Sequence, residues 1–147
     1  NFVQPLFPAS HFPLPHWSIF DHGFLHRLDV PSSGLVLCGI TMEGYYSLRL
    51  QLNTYRLERE YLVLCLGPVP PALRKIELGI ASAGDAKNKS IGHELGRRAE
   101  THMQATAHLW DDDLLRNARS CLAIKIRTGR RHQIRTHMVH CGHPTVC

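Results

Sequence analysis

The chain has 147 residues and a mass of 16.7 kDa, which suits one domain around one core and argues against a second. At 44% hydrophobic and 20% charged residues it is too apolar for a disordered tail, and its longest apolar runs, such as 62–66, are far below the ~20 residues of a membrane-spanning helix. Seventeen Lys and Arg against 12 Asp and Glu leave a net charge of +5, a surplus that suits a polyanionic partner and equally an ordinary basic surface.

Residues 1–22 mix Pro5, Pro8, Pro13 and Pro15 with Phe2, Phe7, Phe12, Trp17 and Phe20, so an irregular lead-in laid over a surface is expected. No basic start followed by an apolar stretch is present, so no signal peptide is expected. The lack of an initiator Met suggests a fragment or a processed chain. Leu35–Ile40, entered from the Pro31-Ser32-Ser33-Gly34 turn, reads as a buried strand. Thr41 can cap a following helix with Glu43 in its first turn and Tyr45, Leu48 and Leu52 at helical spacing, ending before Arg56.

Tyr61–Leu66 reads as a second buried strand, stopped by the Gly67-Pro68-Val69-Pro70-Pro71 run. Residues 72–98 show no clear periodicity and carry Lys87, Lys89, Arg97 and Arg98, the pattern of a long basic loop. His102–Trp110 alternates weakly and Leu122, Ile124 and Ile126 alternate cleanly with Ala123, Lys125 and Arg127, so both segments are expected as strands. Thr128-Gly129-Arg130-Arg131 opens a helical stretch with Ile134, Met138 and Cys141 on one stripe, closed by Gly142 and Pro144. Strands mixed with two helices predict an α+β protein. Five cysteines without a CxxC motif read as reduced thiols and an intracellular compartment.

Three strings carry the chemistry: His26-Arg27-Leu28-Asp29 with Ser33-Gly34-Leu35, Arg59-Glu60-Tyr61-Leu62, and Thr128-Gly129-Arg130-Arg131-His132-Gln133-Ile134-Arg135-Thr136-His137 followed by Gly142-His143-Pro144. Taken alone, Asp29 is better explained by a turn than by catalysis and Tyr61 better by a core, while Arg135 fits a solvated helix face equally well. His132, His137, His140, Cys141 and His143 lie close in sequence, yet on a helix His132, His137 and His140 point in different directions, and no metal is expected.

In this order and spacing the strings resemble the RluA-type RNA pseudouridine synthases, over most of residues 26–144. The resemblance implies a mainly antiparallel sheet with flanking helices, one catalytic domain over 1–147, and isomerisation of uridine in structured RNA without a cofactor. It implies that Asp29 is the required carboxylate, that Arg135 pairs with it, and that Tyr61 stacks on the flipped base. Arg27 can fill the space the base leaves, or form a structural salt bridge. Arg130 and Arg131 read as phosphate contacts at a helix N-terminus, joined by Lys87, Lys89, Arg97 and Arg98. The expected partner is ribosomal or transfer RNA, with no membrane, and the expected state is a monomer. The family's lysine-proline-glycine turn before HRLD and its continuation after GHP have no counterpart here, so a fold truncated at both ends is expected. Apolar faces on Leu122–Ile126 and 131–141 would then be exposed. A relative that binds RNA without catalysis is the alternative.

Overall fold

The computed structural model describes residues 3–83, 89–110 and 118–146. Two compact units divide the chain, 1–57 and 58–147. In the first, the closely spaced prolines remove backbone donors and fix φ, so only short 3-10 turns form, at Gln4–Leu6, Leu14–His16 and Ser18–Gly23. They are tied by side chains: His16 Nε2 donates to the Phe7 carbonyl at 2.8 Å and Gln4 Nε2 to that of Pro15 at 3.2 Å. Helix α1, Met42–Asn53, is capped by Thr41, whose Oγ1 accepts the Gly44 N–H at 3.1 Å. Tyr45 is its buried anchor and meets Phe20 edge-on, with ring centroids 5.8 Å apart.

The strand expected over Leu35–Ile40 does not form. A short antiparallel ladder pairs Gly23–Leu25 with Leu37–Gly39 through Leu25 N–H to Leu37 O (3.1 Å) and Gly39 N–H to Gly23 O (2.8 Å). Beyond it the chain arches away, and Leu35 is 94% exposed. The apolar run is real, but it has too short a partner to become a strand.

The second unit is built on strands β1 (Arg59–Leu66), β2 (Lys75–Glu77), β5 (Glu100–Leu109) and β6 (Arg119–Ile126), in the order β1-β6-β5-β2 and antiparallel throughout. A separate hairpin pairs β3 (Ile80–Ser82) with β4 (Ser90–Gly92). Among its described residues, segment 72–98, read from sequence as a loop, therefore holds three strands. Each has only three residues, too few to leave an alternation signal.

Period-two patterning sets the faces. Ser120, Leu122, Ile124 and Ile126 point inward on β6, opposite Cys65, Val63, Tyr61 and Arg59 of β1. β1 is half-buried rather than buried on both faces, for Leu62 is 82% exposed. Helix α2, Gln133–His140, lays Met138 and Ile134 on this core. Leu122, Ile124 and Met138 are fully buried, which overturns the exposed faces expected from a truncated fold; burial of each such side chain contributes roughly 1.5–3 kcal/mol.

α2 starts later than its motif, because Thr128–His132 forms a turn and His132 adopts a left-handed conformation, φ 54°. Its end is as the sequence implies. Gly142, at φ +81°, donates to the Val139 carbonyl at 3.0 Å, and His143 N–H bonds that of Met138 at 2.8 Å, a Schellman closure.

Candidate active site

Asp29 sits in the arch of the first unit. Its carbonyl accepts the Ser32 N–H at 2.8 Å, closing a turn through Val30 and Pro31, and its side chain is half-buried. His26 braces the foot of this arch: its Nε2 accepts the Leu37 N–H at 3.2 Å, so in the neutral ring the proton is on Nδ1. The HRLD string thus supplies a ladder brace at His26, an exposed Arg27, and a carboxylate at the turn.

The other strings lie in the second unit. Tyr61 is half-buried on the core face of β1, opposite Ile124, and packs on the core cluster that Ile134 of α2 also joins. Arg59 Nη2 donates to the Arg127 carbonyl at 3.0 Å, and a Cβ on Gly129 would overlap that guanidinium. A larger residue there would have to displace the end of the Arg59 side chain where the turn passes β1.

The turn and helix are held by an unbroken chain of buried hydrogen bonds. Glu100 N–H donates to Thr128 Oγ1 (2.9 Å), whose hydroxyl donates to Gln133 Oε1 (2.9 Å), which also accepts the Arg130 N–H (3.0 Å). Gln133 Nε2 donates to the Glu100 carbonyl (2.9 Å) and to Thr101 Oγ1 (3.1 Å). Thr101 in turn meets His137 Nδ1 at 2.8 Å, and His137 Nε2 lies 2.9 Å from the Leu78 carbonyl. A carbonyl only accepts, so Nε2 carries the proton and the Thr101 hydroxyl donates to Nδ1. Burial pushes the His137 pKa down, which keeps this neutral tautomer.

Gln133 and His137, four residues apart, thus clamp one stripe of α2 to β5, and Arg135, two residues from each, projects about 200° away around the helix. Arg135 is half-buried and Arg131 exposed. Arg130 donates from Nε to the Arg98 carbonyl at 2.9 Å, which brings together two of the arginines read as RNA contacts. Arg97 is held by a pair of backbone bonds to Ile80, both 2.9 Å. Lys89 is exposed just before β4, and Lys87 lies outside the described residues.

Sequence reasoning missed the clamp. Its one signal was a pair of polar residues at i and i+4 on the side where a wider apolar stripe would be expected. With both ring nitrogens engaged, His137 has no lone pair for a metal, and among the described residues no group of three His, Cys, Asp or Glu could hold one.

A family model described as RNA pseudouridylate synthase matches residues 19–140. The chain is 30% identical over 124 residues to the ribosomal large subunit pseudouridine synthase D of Yersinia pestis, covering 84% of this chain and 36% of that protein. It is 31% identical over 123 residues to the synthase C of Buchnera aphidicola subsp. Acyrthosiphon pisum, covering 82% and 37%. The chain thus spans about a third of the length of these relatives. Among solved structures, human RNA pseudouridylate synthase domain containing 1 superposes with a TM-score of 0.70 at 25% identity, over 84% of this chain and 52% of that one. Human domain containing 4 shares the fold, with a TM-score of 0.64 at 17% identity.

Proposed function

The chain belongs to the RNA pseudouridylate synthase family, and from that membership we propose that it isomerises uridine to pseudouridine in a structured RNA. Ribosomal RNA is the favoured substrate, since the bacterial relatives are named for the large ribosomal subunit; an intracellular, RNA-containing compartment goes with that substrate. The carrying observation is that all three strings occur inside or beside the matched span in one order, with Asp29, Tyr61 and Arg135 all present.

The reaction breaks the bond from ribose C1′ to N1 of uracil, turns the base, and rejoins it through C5. Nothing is oxidised or hydrolysed, so the chemistry asked of the protein is modest. We assign to Asp29 the covalent or proton-transfer step, to Tyr61 the stacking of the extruded base, and to Arg135 the positive charge that keeps a carboxylate ionised when water is excluded. Backbone phosphates fall to Lys87, Lys89, Arg97, Arg98, Arg130 and Arg131, and Arg27 to the space the extruded base leaves.

The test is Asp29→Asn, which keeps the shape and removes the charge. Conversion of uridine in ribosomal and transfer RNA, read by a reagent that tags pseudouridine, should fall by roughly a thousandfold or more, while RNA affinity stays within a few-fold. Unchanged conversion by the Asn variant would overturn the role of Asp29. A folded wild-type chain that binds RNA and converts none of it would favour a binding protein.

A further inference from the structure

Glu100 opens β5 with its side chain only 9% exposed, and three basic groups surround it. His102 Nε2 lies 2.5 Å from Oε1, Lys75 Nζ 3.4 Å from the same oxygen, and Arg98 Nη2 3.4 Å from Oε2. Lys75 also reaches Glu77 at 2.7 Å. The register explains the grouping: Lys75 pairs with His102 and Glu77 with Glu100 across β2 and β5, so all four share one face of the sheet. Arg98 enters from the segment leading into β5, and its carbonyl receives Arg130.

The short partner of Glu100 is His102, and it is the bond that chiefly holds the Glu100 carboxyl below its usual pKa. The two longer contacts leave Lys75 and Arg98 oriented but not consumed. Their side chains are 41% and 80% exposed, and with three and five N–H donors each keeps some for a further acceptor. Lys75, Arg98 and Arg130 outnumber Glu77 and Glu100, so the corner stays positive.

We propose that Lys75 and Arg98, held over the buried Glu100 carboxylate, seat one backbone phosphate of the RNA, with Glu100 as the residue that positions them. This rests on the reading of RNA as substrate and adds Lys75 and Glu100, which no motif marks. A phosphate fits because its oxygens accept from an ammonium and a guanidinium together, and because cations already oriented lose less side-chain freedom on binding than mobile ones.

The experiment measures affinity of the full chain for an RNA hairpin with a uridine loop across about 50 to 200 mM salt. Lys75→Ala and Arg98→Ala should each weaken binding about five- to eightfold at about 0.1 M salt and reduce the slope of log affinity against log salt by about 0.7–0.9, the share of one phosphate. Because both hold the same phosphate, the double variant should lose about one such share rather than two. Lys125→Ala, which removes a lysine paired with Glu58 on the same sheet, should leave the slope unchanged. Glu100→Gln should weaken binding although it makes the corner more positive; tighter binding would overturn its positioning role.

A slope that Lys75→Ala and Arg98→Ala leave untouched in folded protein, or a wild-type chain without affinity for RNA, would overturn the seat. Binding that responds as stated in a chain that converts no uridine would uphold the seat and sink the isomerase reading instead.

Discussion

The tyrosine proposed to stack on the base must serve the core as well, for Tyr61 is half-buried against the cluster around Ile124 and Met138. Its two duties can be separated. Tyr61→Phe keeps the aromatic face and the packing, so conversion and melting temperature should both stay near wild type. Tyr61→Ala should lose about 1–3 kcal/mol of base stacking and also open a cavity in the fold. Parallel measurement of single-turnover conversion and urea stability distinguishes the two, and a Phe variant as impaired as the Ala variant would assign the hydroxyl a role that stacking does not supply. At this scale much was legible beforehand: Asp29, Tyr61 and Arg135 stand out as members of strings. Gln133 and His137 belong to the same string, yet their letters suggest chemistry, whereas their burial and saturated hydrogen bonds make them fasteners.

Helix α2 depends on polar contacts from outside its own first turn, which has no acidic residue and whose cap residue makes no side-chain bond. What holds its start is Gln133, which engages two donors and two acceptors. Gln133→Leu would take one hydrogen bond from each of these four groups, while Thr128 keeps its bond from Glu100 and Thr101 its bond to His137, at about 1–3 kcal/mol for each buried group left unsatisfied. We expect a loss of at least ~3 kcal/mol in urea unfolding, against about 1 kcal/mol for Thr41→Ala at the cap of α1. Equal losses in the two variants would mean that water replaces the glutamine. Long elements with clean periodicity, β6 above all, were readable from sequence. The strands at 75–77, 80–82 and 90–92 were not, because their pairing, not their composition, makes them strands.

For the molecule as a whole, two groups tie stability to pH in the same direction. Burial lowers the His137 pKa from its ordinary 6.5, so the unfolded chain protonates first as pH falls. Stability should be full above about 6.5 and decline below it toward the lower folded value. The Glu100 carboxyl is lowered from its ordinary 4.5, chiefly by the His102 hydrogen bond and further by Lys75. Its contribution is full above about 4.5 and is lost as pH falls through the folded pKa. Urea midpoints taken from pH 8 to pH 4 should therefore hold level, then fall below about 6.5. His137→Gln, less stable at neutral pH, should flatten the first decline; a decline of undiminished size in that variant would exclude His137 as its source.

The strand order β1-β6-β5-β2 also has a consequence in time. During synthesis β1 emerges early, but β6, the neighbour it pairs with in the main sheet, follows only after the hairpin and β5 have been made, for Leu66 meets Arg119 and Arg59 meets Ile126. β2 and β5 can pair while the chain is still growing, whereas the apolar side of β1, with Val63 and Cys65, must wait for β6. Closing so long a loop is slow compared with forming a helix. A nascent chain paused before residue 119 would therefore display β1 as an unmatched, sticky strand, and this is the interval in which a chaperone would have most to do.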